Sequence, residues 1–130
     1  MVGVDGSDGN RDALRRAALE ASAHGLRLEI VHAWNFLDQP GPRFDPHYGE
    51  QAARERIERF VDEALGAERT IETEVRMVND HAAAALVDAS AGAFTLVVGA
   101  RGLGGFKGAL LGSVSQHVVH HASCPVLVMR

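Results

Sequence analysis

The segment Phe94-Thr95-Leu96-Val97-Val98 runs into Gly99 without the apolar and polar alternation of a half-wet strand. A strand that is apolar on both faces must be covered on both, which places it inside a parallel sheet flanked by helices. The rest of the sequence alternates strand and helix patterns in the way such a sheet needs. A short strand over residues 1–5, with Val2 and Val4 apolar, leads into the turn and capping residues Gly6-Ser7-Asp8-Gly9-Asn10. A helix over 11–24 follows, with Leu14, Ala17, Ala18 and Ala21 as its buried stripe. Gly25 stops it, and residues 26–34 form a largely buried second strand in which Leu28, Ile30 and His32 alternate with Glu29, Val31 and Ala33.

Residues 35–49 hold three of the four prolines and show no periodicity, which predicts a long connection covering a binding site or a mobile surface loop. A second helix over 48–66 repeats Ala53, Ile57, Phe60, Val61, Ala64 and Leu65 at helical spacing. Over 70–78, Ile71, Thr73, Val75 and Met77 face one way and Glu72, Glu74 and Arg76 the other, as in an edge strand with one wet side. Asn79 or Asp80 caps a third helix reaching residue 91, with Ala83, Leu86, Val87 and Ser90 turned inward; a fourth helix spans 113–121 and a last strand 125–129. This βαβαβαβαβ order predicts an α/β, three-layer, Rossmann-like domain with a five-stranded parallel sheet and right-handed crossovers. Ligands of such sheets bind at the carboxyl ends of the strands where the strand order reverses, and Asp5, Ala33 and Gly99 stand at such ends.

With 130 residues and 46% hydrophobic content, residues 1–130 suffice for one domain and no more. Apolar runs are far shorter than the roughly 20 residues that span a bilayer, and residues 1–5 lack the basic start of a signal peptide, so the sequence predicts a cytoplasmic protein off the membrane. The single Cys124, in Ala122-Ser123-Cys124-Pro125-Val126, reads as a small buried apolar residue. A net charge of −4 and few aromatic residues argue against nucleic acid as a partner.

The chemistry concentrates after Gly99, in Gly99-Ala-Arg101-Gly102-Leu-Gly104-Gly105-Phe-Lys107-Gly108-Ala-Leu-Leu-Gly112-Ser113-Val114-Ser115. Glycines let backbone approach an anion, and the free N–H groups of Gly112, Ser113 and Val114 at the start of the helix present donors and the positive dipole end. The alternative is a loop in which Ser113 merely caps that helix. No G-x-x-x-x-G-K-[ST] is present, and Gly102-Leu-Gly104-Gly105-Phe-Lys107 lacks the last glycine of G-x-G-x-x-G. The spacing that does occur is Gly99, two residues, Gly102, nine residues, Gly112-Ser113. It resembles the ATP-binding signature of the universal stress protein family. Val2-Gly3-Val4-Asp5-Gly6-Ser7, Ile30-Val31-His32-Ala33 and His121-Ala-Ser-Cys124-Pro125-Val126 extend the resemblance over essentially the whole chain.

That resemblance implies ATP or AMP as ligand, with Mg²⁺ a candidate companion. It implies Asp5 beside the ribose and phosphates, backbone hydrogen bonds from Ala33 to adenine, and Val98 lining the base pocket. Gly99 and Gly102 would pass under the ribose and α-phosphate, Gly112, Ser113 and Ser115 would hold the β- and γ-phosphates, and Val114 would contribute through its backbone. It further implies strand order 3-2-1-4-5 and a homodimer paired through the last strand, Val126–Met129. Just four residues precede Asp5, fewer than the family's usual first strand. This predicts either a natural start before Met1 or a weakly held strand.

Other candidates read more simply. His117 and His121 share a helix face at i, i+4 but no third metal ligand follows them; Ser113 and His117 have no acid nearby in sequence to orient the imidazole. His32 reads as a hydrogen-bonded core histidine, Arg101 as a surface residue, and Lys107 as either a phosphate partner or a solvated loop lysine. The leading expectation is a dimeric adenine-nucleotide-binding stress or regulatory module. The alternatives are slow ATP hydrolysis or self-phosphorylation at Ser113 or Ser115, and a nucleotide-free interaction protein of the same fold.

Overall fold

The computed structural model describes residues 1–37, 39, 43–66, 69–103 and 110–130. Elements follow in the order β1 (Val2–Gly3), α1 (Asp8–Ala23), β2 (Leu28–Ala33), α2 (Glu50–Leu65), β3 (Thr73–Val78), α3 (Ala82–Ala89), β4 (Leu96–Gly99), α4 (Ser113–His121) and β5 (Val126–Met129). The sheet has five parallel strands in the order β3-β2-β1-β4-β5, the Rossmann-like arrangement expected. Each element sits within a few residues of its expected place, and β1 is shorter than the apolar pattern of residues 1–5 suggests. Among the described residues, no helix is long and apolar enough to cross a membrane.

Helices cover both faces of the sheet. On one side α1 and α2 bury Leu14, Ala17, Ile57 and Phe60 against Val2, Ile30 and Val97; on the other α3 and α4 bury Leu86, Ala89 and Val118 against Val31, Leu96 and Val98. The whole of β4 is buried, in keeping with its run of apolar residues. β3 lies at one edge with Glu74 and Arg76 exposed, again as its alternation requires.

One local expectation is corrected. Neither Asn79 nor Asp80 caps α3: His81 holds the N-cap position, and Asp80 instead accepts the His81 N–H at 2.6 Å. Ser90 closes that helix and is fully buried; its hydroxyl donates to the Val87 carbonyl at 2.6 Å and accepts the Ser123 N–H at 2.8 Å. It therefore ties the end of α3 to the segment leading into β5. Ser90→Ala is expected to strand the Ser123 N–H and lower stability by about 1–3 kcal/mol, read as a lower urea midpoint at unchanged slope.

Candidate functional site

The helix after β1 packs on one face of the sheet and the helix after β4 on the other, so the chain parts between these neighbouring strands. A cleft of about 500 Å³ opens at their carboxyl ends, the crevice such a reversal produces. All nine residues expected at the site, from Asp5 and Ala33 through Val98, Gly99 and Gly102 to Gly112, Ser113, Val114 and Ser115, line it. Asn10, Leu86 and Gln116 line it as well and were not expected. Asn10 reads locally as one more turn residue before a helix, and nothing in its spacing shows that it turns inward.

Asp5 closes the cleft at the β1 end. Its Oδ1 accepts the Ser7 N–H and its Oδ2 the Leu103 N–H, both at 2.8 Å, so one carboxylate joins the turn after β1 to the loop after β4. Asn10 Oδ1 accepts the Asp5 N–H at 2.5 Å. A Cβ at Gly102 would collide with Asp5 Oδ2, and one at Gly99 would lie 2.7 Å from Asn10 Nδ2. A side chain at either glycine would therefore have to displace Asp5 or Asn10 from its hydrogen bonds, so the cleft wall itself favours glycine there before any ligand is considered.

At the opposite wall α4 begins. Gly112 is its N-cap residue and makes no side-chain cap, so the alternative in which Ser113 merely caps the helix does not hold: Ser113 is the first helical residue and is exposed. The Gly112 N–H, expected to be free, donates to the Ala100 carbonyl at 2.6 Å. Gln116 is the first residue whose N–H bonds back along the helix, to Gly112 at 2.9 Å, which leaves the N–H groups of Ser113, Val114 and Ser115 without intrahelical partners beside the cleft. Ser115 is buried, and its hydroxyl donates to the Gly99 carbonyl at 2.6 Å, locking the start of α4 to the end of β4. Its backbone N–H rather than its hydroxyl proton is the group left for a ligand.

Arg101 is exposed at the cleft mouth, whereas Lys107, with Gly104, Gly105 and Gly108, falls outside the described residues. The described part of residues 35–49 does not line the cleft, so the expected cover is absent from those residues. The His117 and His121 rings are 4.4 Å apart, and among the described residues no three histidine, cysteine or acidic side chains gather to hold a metal.

The match to known proteins covers the same ground. The family model of the universal stress protein family matches residues 1–130. The chain belongs to the universal stress protein family. A universal stress protein of Thermus aquaticus is 37% identical over all of this chain and 96% of its own length. One from Mycobacterium bovis is 39% identical, and there the chain spans 44% of the relative's length. Among solved structures, a universal stress protein in complex with cAMP is 32% identical with a TM-score of 0.72, covering 99% of this chain and 93% of that one. One from Lactobacillus plantarum shares the fold at 23% identity, with a TM-score of 0.71 over 99% and 95% of the two chains.

Next to the cleft of this family member sits a buried histidine. His32 is 4% exposed, and its Nδ1 lies 2.8 Å from the Val4 carbonyl. Burial pushes its pKa below the ordinary 6.5; the nearby Arg56 pushes the same way, against the pull of the Val4 carbonyl and Asp5. The unfolded chain takes up this proton at higher pH than the folded one, so stability is full above about pH 6.5 and is lost as the pH falls below it. His32→Asn, which keeps a donor toward Val4 without a titrating ring, is expected to show a smaller fall in urea midpoint between about pH 7.5 and about pH 5.5 than the natural chain.

Proposed function

We propose that this universal stress protein is a cytoplasmic adenine-nucleotide-binding domain, acting as a homodimeric stress or regulatory module with ATP or AMP as its ligand. The observation that carries the reading is the set of N–H groups of Ser113, Val114 and Ser115, which have no hydrogen-bond partner among the described residues and belong to residues lining a cleft of about 500 Å³ at the reversal point of the sheet. A helix start with free donors and a positive dipole end is a phosphate site, and the volume is that of a small-molecule pocket. The relative solved with cAMP, at 32% identity, supports an adenine nucleotide as the occupant.

On this reading the phosphates lie on the start of α4, with Gly99 and Gly102 leaving room for ribose and α-phosphate. The apolar walls of Val98 and Leu86 flank the base near Ala33. Asp5 is the carboxylate nearest to serve a Mg²⁺ held by phosphate oxygens, as hard cations favour such ligands. Of the two serines, Ser113 has the exposed hydroxyl, since that of Ser115 already donates to Gly99. A phosphate-transfer reading would therefore rest on Ser113 rather than Ser115. The homodimer reading is supported by β5, an edge strand that among the described residues pairs with β4 alone and whose residues are all half-buried. Pairing with its own copy covers that edge.

Gly112→Val tests the site cleanly. A Cβ at residue 112 meets nothing closer than the Ala100 carbonyl oxygen at 3.5 Å, so the variant is expected to fold while its methyl groups fill the phosphate cradle. Isothermal titration with ATP, AMP, cAMP and GTP should show adenine nucleotide binding by the natural chain and a loss of roughly tenfold or more in the variant. Equal affinity in the two proteins removes the assignment. Sedimentation equilibrium should report twice the chain mass of 13.9 kDa, and a monomer would remove the dimer.

A further inference from the structure

β1 is the innermost strand, yet it pairs through Val2 and Gly3 alone. The stretch beyond it, which carries Asp5 into the cleft, is held from behind by two side chains that do not line the cleft. Arg56 leans out of α2 half-buried, and its Nη1 donates to the Asp5 carbonyl at 3.0 Å. Its Nη2 lies 3.3 Å from Nε2 of His32. A neutral imidazole with its proton on Nδ1 satisfies both neighbours, donating to Val4 and accepting from Arg56. Gly6, at φ +81°, completes the fit, because a Cβ there would run into Arg56 Nη1.

This is an expensive placement for an arginine. Its Nε is buried without a hydrogen-bond partner, and among the described residues its guanidinium meets no carboxylate, whereas Arg11, Arg54 and Arg69 each do. Folding alone selects against a half-buried cation paired with no acid. Breaches of local rules of this kind collect where function requires them. By bonding the carbonyl of Asp5 and not its carboxylate, Arg56 leaves both carboxylate oxygens for the N–H groups of Ser7 and Leu103.

We infer that Arg56 and His32 are positioning residues, which hold Asp5 in its cleft geometry through the Asp5 and Val4 carbonyls without touching the ligand. The link to ligand affinity rests on the adenine-nucleotide reading above. The charged groups facing His32 are Arg56 from α2 and Asp5 beyond β1; its neighbour on β3 is the uncharged Met77. Protonating His32 would set two cations against each other and remove the acceptor for Arg56, so acid should loosen the same contact.

The test combines amide hydrogen exchange on the ligand-free protein with ATP titration of Arg56→Gln, Arg56→Lys and His32→Asn. Arg56→Gln is expected to speed exchange at Asp5, Ser7 and Leu103 and weaken ATP binding, each by roughly tenfold or more, while β2 amides such as Ile30 stay protected. Arg56→Lys, which keeps a donor toward Asp5, should recover most of both. His32→Asn should weaken ATP binding at neutral pH and remove the part of its loss that sets in on acidification as the folded His32 takes up a proton, at a pH below the ordinary histidine value. Unchanged exchange at those three amides overturns the inference. So does acceleration spread evenly across the sheet, or failure of the arginine variants to fold, since either would mark a general stability role. If the natural chain binds no ATP but the three amides respond, the nucleotide reading falls and the positioning role stands.

Discussion

The structure depends on a central strand that is almost too short to be one. β1 contributes two residues to the ladder, and both are buried between β2 and β4. Its position decides the architecture, because the parting between α1 and α4 occurs at its boundary with β4. A strand of that length is held by what surrounds it: Val2 packs in the α1 and α2 core, and the Val4 N–H donates to the Val31 carbonyl at 3.0 Å. Beyond Val4, side chains take over from the ladder. Asn10 accepts the Asp5 N–H, Arg56 donates to the Asp5 carbonyl, and the Asp5 carboxylate holds Ser7 and Leu103.

That arrangement gives the cleft two walls of different character. The β1 wall is built from charged and amide side chains that bond backbone, and its glycines are there because those side chains approach so closely. The α4 wall is the start of a helix, anchored by the Gly112 N–H to the Ala100 carbonyl and by the Ser115 hydroxyl to the Gly99 carbonyl. Anchoring the helix start through these bonds fixes the next N–H groups, which have no partner among the described residues. Preorganised donors of this kind bind an anion without first paying to be ordered.

Much of this was legible in the linear chain. The apolar run ending at Gly99 implied a covered parallel strand, the helical spacing of Ala53, Ile57, Phe60 and Val61 marked a helix and its buried face, and the glycine spacing with Ser113 marked the cleft. Arg56 was not legible. In the periodic pattern of α2 it falls among Glu55, Glu58 and Arg59, and such residues ordinarily face water. Its contact with Asp5 joins residues 51 apart in the chain, a distance over which no local pattern carries information. Asn10 escaped for the complementary reason: a residue type common in turns is here buried against Gly99.

The sequence by itself determined the order and type of the elements, the faces they bury and the family, because period, chain breakers and motif spacing act over a few residues at a time. Tertiary structure decided which donors at the start of α4 are already engaged, since the partners of Gly112 and Ser115 are Ala100 and Gly99, across the loop from β4. It also decided that Asp5 is a bridge between two loops, and that a surface-patterned arginine lies behind the site. Those outcomes depend on where the strands carry their ends once the sheet is assembled, and no residue's own conformational preference encodes that.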